Sequence, residues 1–164
     1  MKLYFLRHAT AADMAASDAA RPLTMEGEKE SRIAGAALKE LGAAPVAIYS
    51  SPLVRARQTA EIAARALSFD GEVEAIDELE NGASTPALLQ ALKSHRHARE
   101  ILLVGHMPSL AGHVAALIGA TLKDLDGLAL GKGGVACVQV EELRPGSGRL
   151  RWLMRQDHLE RLLG

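Results

Sequence analysis

Four side chains in this sequence have the chemistry to hold and transfer an anion. Arg7 and His8 sit back to back in YFLRHAT, residues 4–10. Arg55 lies in SSPLVRARQTA, residues 50–60, and His106 in VGHMPSL, residues 104–110. A guanidinium is a planar fork of donors that matches phosphoryl oxygens. An unprotonated imidazole attacks phosphorus and gives a phosphohistidine intermediate. A second imidazole, protonated, donates to an equatorial oxygen while cationic groups offset the charge of the transferring phosphoryl. All four groups are costly to bury without partners, so the elements around them must say what those partners are.

Each block follows an apolar run. KLYFL, residues 2–6, reads as a buried strand; PVAIY, residues 45–49, as a second; EILLVG, residues 100–105, as another; and EVEAI, residues 72–76, as a weaker one. Helical segments fall between them. Thr24 is the expected N-cap of a helix reaching about Leu41, with Glu26 and Glu28 in its first turn and Gly42 ending it. Ser51-Pro52 reads as an N-cap followed by Pro at the first helical position, opening a helix to Leu67. Further helices are expected from about Thr85 to Ser94 and from Pro108 to Gly119. Residues 134–142 and 148–154 form a hairpin pattern around Pro145-Gly146, and DHLERLLG reads as a short closing helix. The alternation predicts one α/β domain over residues 1–164, a three-layer α/β/α sandwich with a mostly parallel central sheet. Ligands of such sheets bind beyond the carboxyl ends of the strands. If the strands at 2–6, 45–49 and 100–105 are parallel neighbours, Arg7, His8, Arg55 and His106 meet on one rim. Helix N-termini at Pro52 and Pro108 then open toward the same place, which suits an anion.

Composition removes several other functions. The 164 residues are 48% hydrophobic, enough for a core, but only 3% aromatic. So few rings argue against a stacking platform for single-stranded nucleic acid. A formal net charge of −1 favours neither nucleic acid nor anionic lipid, so an anion site has to be local. The single cysteine, Cys137, excludes an internal disulfide and a Cys-rich zinc site, and its apolar setting reads as a small buried thiol. No stretch is long enough to span a membrane and no secretory signal is evident, so the cytoplasm is the expected compartment.

Together, LRHAT, SSPLVRARQTA and VGHMPSL resemble the histidine phosphatase superfamily, with its phosphoglycerate-mutase-like fold. The short chain, the ASDAARPLTMEGEKES block and the KGGVACVQVE strand resemble its SixA-type phosphohistidine phosphatases. The resemblance covers most of the chain in order. It implies that His8 is the nucleophile, Arg7 its phosphate-binding neighbour, Arg55 the second arginine, and His106 the histidine that binds and polarises the phosphoryl group. It implies no metal and no organic cofactor. Larger members carry an acidic proton donor after the second block; here that stretch is IDELENGAS, with Asp77, Glu78 and Glu80, and none copies the larger enzymes' motif. Glu80 is the candidate if an acid is used. The absence of a clear acid fits a phosphoramidate, whose protonated imidazole leaves easily. Residues 67–72 are too short for the lid of larger relatives, so an open site admitting a phosphorylated side chain on a protein is expected.

The expected activity is therefore hydrolysis of a phosphoryl group through phospho-His8, with phosphohistidine in a phosphotransfer domain or phosphocarrier as substrate. A small-molecule phosphomonoesterase is the alternative in the same chemistry, and a phosphate-binding module without turnover the alternative in another class. Arg21, in ARPLT, either braces the loop above the site or contacts substrate. Ser17 and Asp18 read as loop hydrogen-bonders, Thr59 as a packing residue, and Arg57 as a surface charge. His95 and His97 read as a surface turn, His113 as a helix-face residue and His158 as exposed. A neutral His8 and a protonated His106 predict a bell-shaped rate profile near neutrality.

Overall fold

The computed structural model describes residues 1–121, 123 and 127–164. The buried run at the start forms β1 (Lys2–Arg7), followed by α1 (Met25–Glu40), β2 (Ala47–Ser50), α2 (Val54–Leu67), β3 (Val73–Ala75) and α3 (Thr85–Ala91). Then come β4 (Glu100–Gly105), α4 (Ser109–Ile118), β5 (Val135–Val140), β6 (Gly148–Met154) and α5 (Gln156–Leu162). The six strands form one sheet in the order β3-β2-β4-β1-β5-β6. The first four strands of that order are mutually parallel, and β5 and β6 run antiparallel.

Strand alternation divides the core in two. Leu3 and Phe5 of β1 face a cluster with Leu103 of β4, Leu88 and Leu89 of α3, and Leu110, Val114 and Leu117 of α4. Tyr4 and Leu6 face the other way, toward Ile48, Val104, Leu38 of α1, Ala60 and Ala63 of α2, and Leu159 of α5. The result is the three-layer sandwich expected from the alternation. The alanine content is used where α1 meets α2: a Cβ on Gly35 would lie 2.5 Å from the Ala63 carbonyl oxygen. Such an approach excludes any side chain there.

Register sets the height of the strand ends. Arg7 pairs with Gly105, and Ser50 pairs with Val104. The pairing continues past the strands: His8 N–H donates to the Gly105 carbonyl at 2.9 Å, and Ser51 N–H to that of Val104 at 2.9 Å. His8, Ser51 and His106 therefore leave three adjacent parallel strands at one level.

Two local expectations are corrected. Ser51 does not cap α2, which begins at Val54 after Leu53 with no side-chain cap. The Ser51 hydroxyl is committed to His106 instead, and the first α2 amide, that of Val54, donates to the Ala19 carbonyl at 3.1 Å. The first amide of α2 is thus taken by the loop before α1. The helix expected through Ser94 stops at Ala91 and tightens into a 3-10 turn over Leu92–His95. Thr24 does cap α1, accepting from the Gly27 amide at 3.1 Å.

Candidate active site

His8 follows β1 and is 8% exposed. Its Nδ1 lies 2.8 Å from the Ala9 carbonyl oxygen. A carbonyl only accepts, so Nδ1 carries the hydrogen and Nε2 keeps its lone pair. Burial pushes His8 down to about 4; the Ala9 bond opposes this, and the positive charges of Arg55, Arg7 and Lys132 add to it. Near neutral pH His8 is therefore uncharged, with a defined tautomer.

His106 leaves β4 beside it, with ring centroids 5.0 Å apart and planes tilted by 55°. Its Nε2 and the Ser51 hydroxyl are 2.8 Å apart. Burial first, and then His8 and Arg55, push His106 down to about 3, while Asp18 pulls the other way. Both imidazoles are thus neutral in the free protein. This departs from a bell-shaped profile near neutrality, because that expectation used the ordinary histidine range and took no account of burial. A dianionic phosphoryl group brought against His106 favours its protonated form.

Arg7 donates through Nη1 to the Leu130 carbonyl at 2.9 Å. Its backbone is clasped by the glycine pair before β5: Arg7 N–H donates to the Gly134 carbonyl at 3.1 Å, and the Arg7 carbonyl accepts from Gly133 N–H at 3.2 Å. Arg55, on the first turn of α2, is 6% exposed. It donates to Asp18 twice, Nη1 to the carbonyl oxygen at 2.7 Å and Nη2 to the carboxylate at 3.0 Å. Three buried nitrogens in this group have no protein partner: Nε of Arg7, Nε of Arg55 and Nδ1 of His106. Buried polar groups are normally paired, so three unpartnered nitrogens in the cluster with His8 make it a candidate place for an anion.

The surrounding residues hold this arrangement. The Thr59 hydroxyl accepts from Ala9 N–H at 3.1 Å and donates to the Arg55 carbonyl at 2.7 Å, so it links the segments of His8 and Arg55. Its spacing of four from Arg55 on one helix face was the available signal. Glu30 receives the Thr10 amide at 2.7 Å and the Thr10 hydroxyl at 3.0 Å. A Cβ on Gly27 would sit 1.9 Å from the Thr10 carbonyl oxygen, so only glycine lets α1 reach this turn. Asp18, Glu30 and Ser51 were not singled out as site residues from sequence.

The remaining candidates fall into place around this core. Arg21 pairs with Asp18 at 3.1 Å and so joins Arg55 through a shared carboxylate. Glu80 follows the 3-10 turn Asp77–Leu79, which packs at the end of β4, where a Cβ on Gly105 would meet the Leu79 carbonyl at 3.0 Å. No hydrogen bond or ion pair joins Glu80 to the four core residues among those described. Arg57 pairs with Glu61 at 3.7 Å on the exposed face of α2. His113 is buried on α4 against Thr85, with Nδ1 to Oγ1 at 2.9 Å. His95 is less exposed than a surface turn implies, because its Nδ1 lies 2.9 Å from the Tyr49 hydroxyl. His158 is exposed. Cys137 is buried, which pushes its thiol up to about 11 and leaves it inert. Among the described residues no three His, Cys, Asp or Glu side chains gather as a metal-binding set.

Arg7, His8 and His106 at the ends of parallel strands, with Arg55 from the first turn of α2, form a cluster whose composition suits phosphoryl transfer. The chain belongs to the histidine phosphatase superfamily (branch 1), whose family model matches residues 3–84, and it is a phosphatase. It is 31% identical to the phosphohistidine phosphatase SixA of Escherichia coli, over 98% of this chain and 97% of that one. It is 37% identical to a protein of Picosynechococcus over 92% of this chain and 89% of the other. The solved structure of the protein histidine phosphatase SixA complexed with tungstate superimposes with a TM-score of 0.87 at 28% identity, covering 97% of this chain and 99% of that one. The fold is the phosphoglycerate-mutase-like fold of that protein.

Proposed function

We propose that the whole chain, residues 1–164, acts as one domain that hydrolyses phosphohistidine carried on a protein. The observation that supports this most is the set of buried nitrogens without a partner among the described residues, Nε of Arg7, Nε of Arg55 and Nδ1 of His106, clustered with a His8 whose Nε2 keeps its lone pair. In this reading Arg7 and Arg55 clamp the phosphoryl oxygens. His106 donates to an oxygen as charge builds in the transition state. Nε2 of His8 forms a bond to phosphorus as the bond to the leaving nitrogen breaks. Water then attacks phospho-His8, inorganic phosphate leaves and neutral His8 returns. Every role falls to protein side chains, and no metal or organic cofactor enters.

A protein substrate is favoured over a small ester by two features. Among the described residues no carboxylate is bonded to His8 or His106, which suits a protonated imidazole leaving group better than an alkoxide, since the former needs no proton donor. The link from α2 to β3, residues 68–72, is a short turn and not a cover over the site. The partner in this reading is a cytoplasmic phosphotransfer domain or phosphocarrier.

The test is a rapid-quench comparison of a phosphohistidine-bearing protein with a panel of phosphomonoesters, using His8→Ala as control. Fast release from phosphohistidine is expected, with acid-labile, base-stable phosphate trapped on the wild type only. Preference for a small ester would move the substrate class and make Glu80 the next acid to mutate. Phosphate binding with no turnover on any substrate would leave only a binding module.

A further inference from the structure

In-line attack by a buried His8 sends the leaving group outward, toward the mouth of the pocket. The mouth carries one carboxylate already locked into the site. The Asp18 side chain is 70% exposed, yet one oxygen accepts from Arg55 Nη2 at 3.0 Å and the other meets Arg21 Nε at 3.1 Å. Arg55 holds the Asp18 carboxyl below its usual range, so it is ionised whenever the enzyme works. It also acts electrostatically on His106. A carboxylate has about four lone-pair positions, so positions remain open after the Arg55 hydrogen bond. A surface cavity of about 430 Å³ adjoins this carboxylate, lined by Asp13, Met14, Ala15 and Ser17 as well as Asp18 and Arg21.

An anionic carboxylate beside a phosphate site disfavours phosphate binding by repulsion, so its presence there calls for a compensating contact. A phosphorylated imidazole offers one. Phosphorylated on one ring nitrogen, it takes a solvent proton on the other and becomes a cation with an N–H. We propose that Asp18 selects phosphoramidates over phosphate esters by accepting that N–H and holding the leaving ring protonated while the P–N bond breaks. The P–N electron pair returns to the nitrogen that held phosphorus. The proton stays on the other nitrogen, and the ring departs as neutral imidazole. An ester oxygen carries no such proton and gains nothing from the carboxylate. This rests on the phosphohistidine reading of the site. The charged groups around the ring proton are the Asp18 carboxylate and, on the same cavity, that of Asp13, which favour it, and Arg21, Arg55 and His106, which are cationic or become so. Of the two carboxylates, Asp18 is the one held against Arg55.

The experiment is kcat/KM for phosphoimidazole and for an aryl phosphate, in wild type, Asp18→Asn and Asp18→Glu. A charge-assisted hydrogen bond lost at the leaving ring is expected to lower the phosphoimidazole-to-ester ratio in Asp18→Asn roughly tenfold to a hundredfold. The pH above which phosphoimidazole turnover declines should also fall, because the ring proton is held less tightly. Asp18→Glu should restore much of the ratio. Equal losses on both substrates would overturn the proposal and reduce Asp18 to a clamp on Arg55. An unchanged ratio and pH limb would overturn it as well. Those outcomes leave phosphohistidine hydrolysis standing. Failure of that reading has a separate signature, a wild-type enzyme that turns over the ester and not the phosphoimidazole.

Discussion

Lowering the pH isolates the state of the nucleophile. His8 lies at about 4 in the folded protein against an ordinary value of 6.5. Only the neutral form attacks phosphorus, so activity persists wherever Nε2 is unprotonated. At pH 5.5 an ordinary histidine would be only about 9% neutral, whereas His8 is about 97% neutral, roughly a tenfold difference in competent enzyme. Long-range proton–nitrogen spectra of the histidine-labelled free protein read this directly. A midpoint near 4 is expected, with the hydrogen on Nδ1 at neutral pH because the Ala9 carbonyl accepts it at 2.8 Å. The acid limb of kcat/KM, corrected for ionisation of the substrate, should fall at the same place. A midpoint above about 6, or a hydrogen on Nε2, would refute both the burial argument and the tautomer assignment.

Stability should follow the same groups with the opposite partner in view. His8, His106 and His113 all lie below 6.5 when folded, at about 4, about 3 and about 4. The unfolded chain therefore binds more protons than the native state below pH 6.5, and stability should decline from there toward pH 4, by about 3 kcal/mol for His113 alone. Denaturant unfolding at pH 7, 5.5 and 4.5 with His113→Gln checks this, and the variant should flatten part of the slope. Thr59→Val keeps shape but removes the acceptor of the Ala9 amide. It should lower stability by about 1–3 kcal/mol and reduce kcat more than it raises KM, since it loosens the segment orienting His8; a kcat equal to wild type would refute that link. Gly27→Ala drives a Cβ into the Thr10 carbonyl and should lower stability by about 3 kcal/mol, with a drop in turnover, both read by thermal melting and a phosphatase assay.

Much of this was legible in the sequence where the signal is local. Apolar runs that end in Arg7-His8, Ser50-Ser51 and Gly105-His106 gave the strands and the rim at once, because strand ends and the residues after them are adjacent in the chain. Contacts between distant segments were not legible. Asp18 and Arg55 are 37 positions apart, and Thr10 and Glu30 are 20 apart; no propensity or spacing rule couples them. Ser51 is the instructive failure. A serine before proline reads as a helix cap by local preference, and a hydrogen bond to His106, 55 positions away, takes precedence. The low histidine values are not legible from sequence for a related reason, since residue type supplies the reference value and only packing supplies the shift.

The pairing of β1 has a consequence for the order in which the protein matures. Lys2 sits opposite Glu100 on one side, 98 positions later, and opposite Gln139 on the other. β1, which leads into His8, is made before both its neighbours, β4 and β5, and stays unpaired until they follow. The clasp on Arg7 closes only when Gly133 and Gly134 arrive. Pairings of such long range make folding slow relative to local helices. A nascent chain halted before β5 lacks that clasp, so phosphatase activity is expected to switch on late in synthesis, as a single step, rather than to grow with chain length.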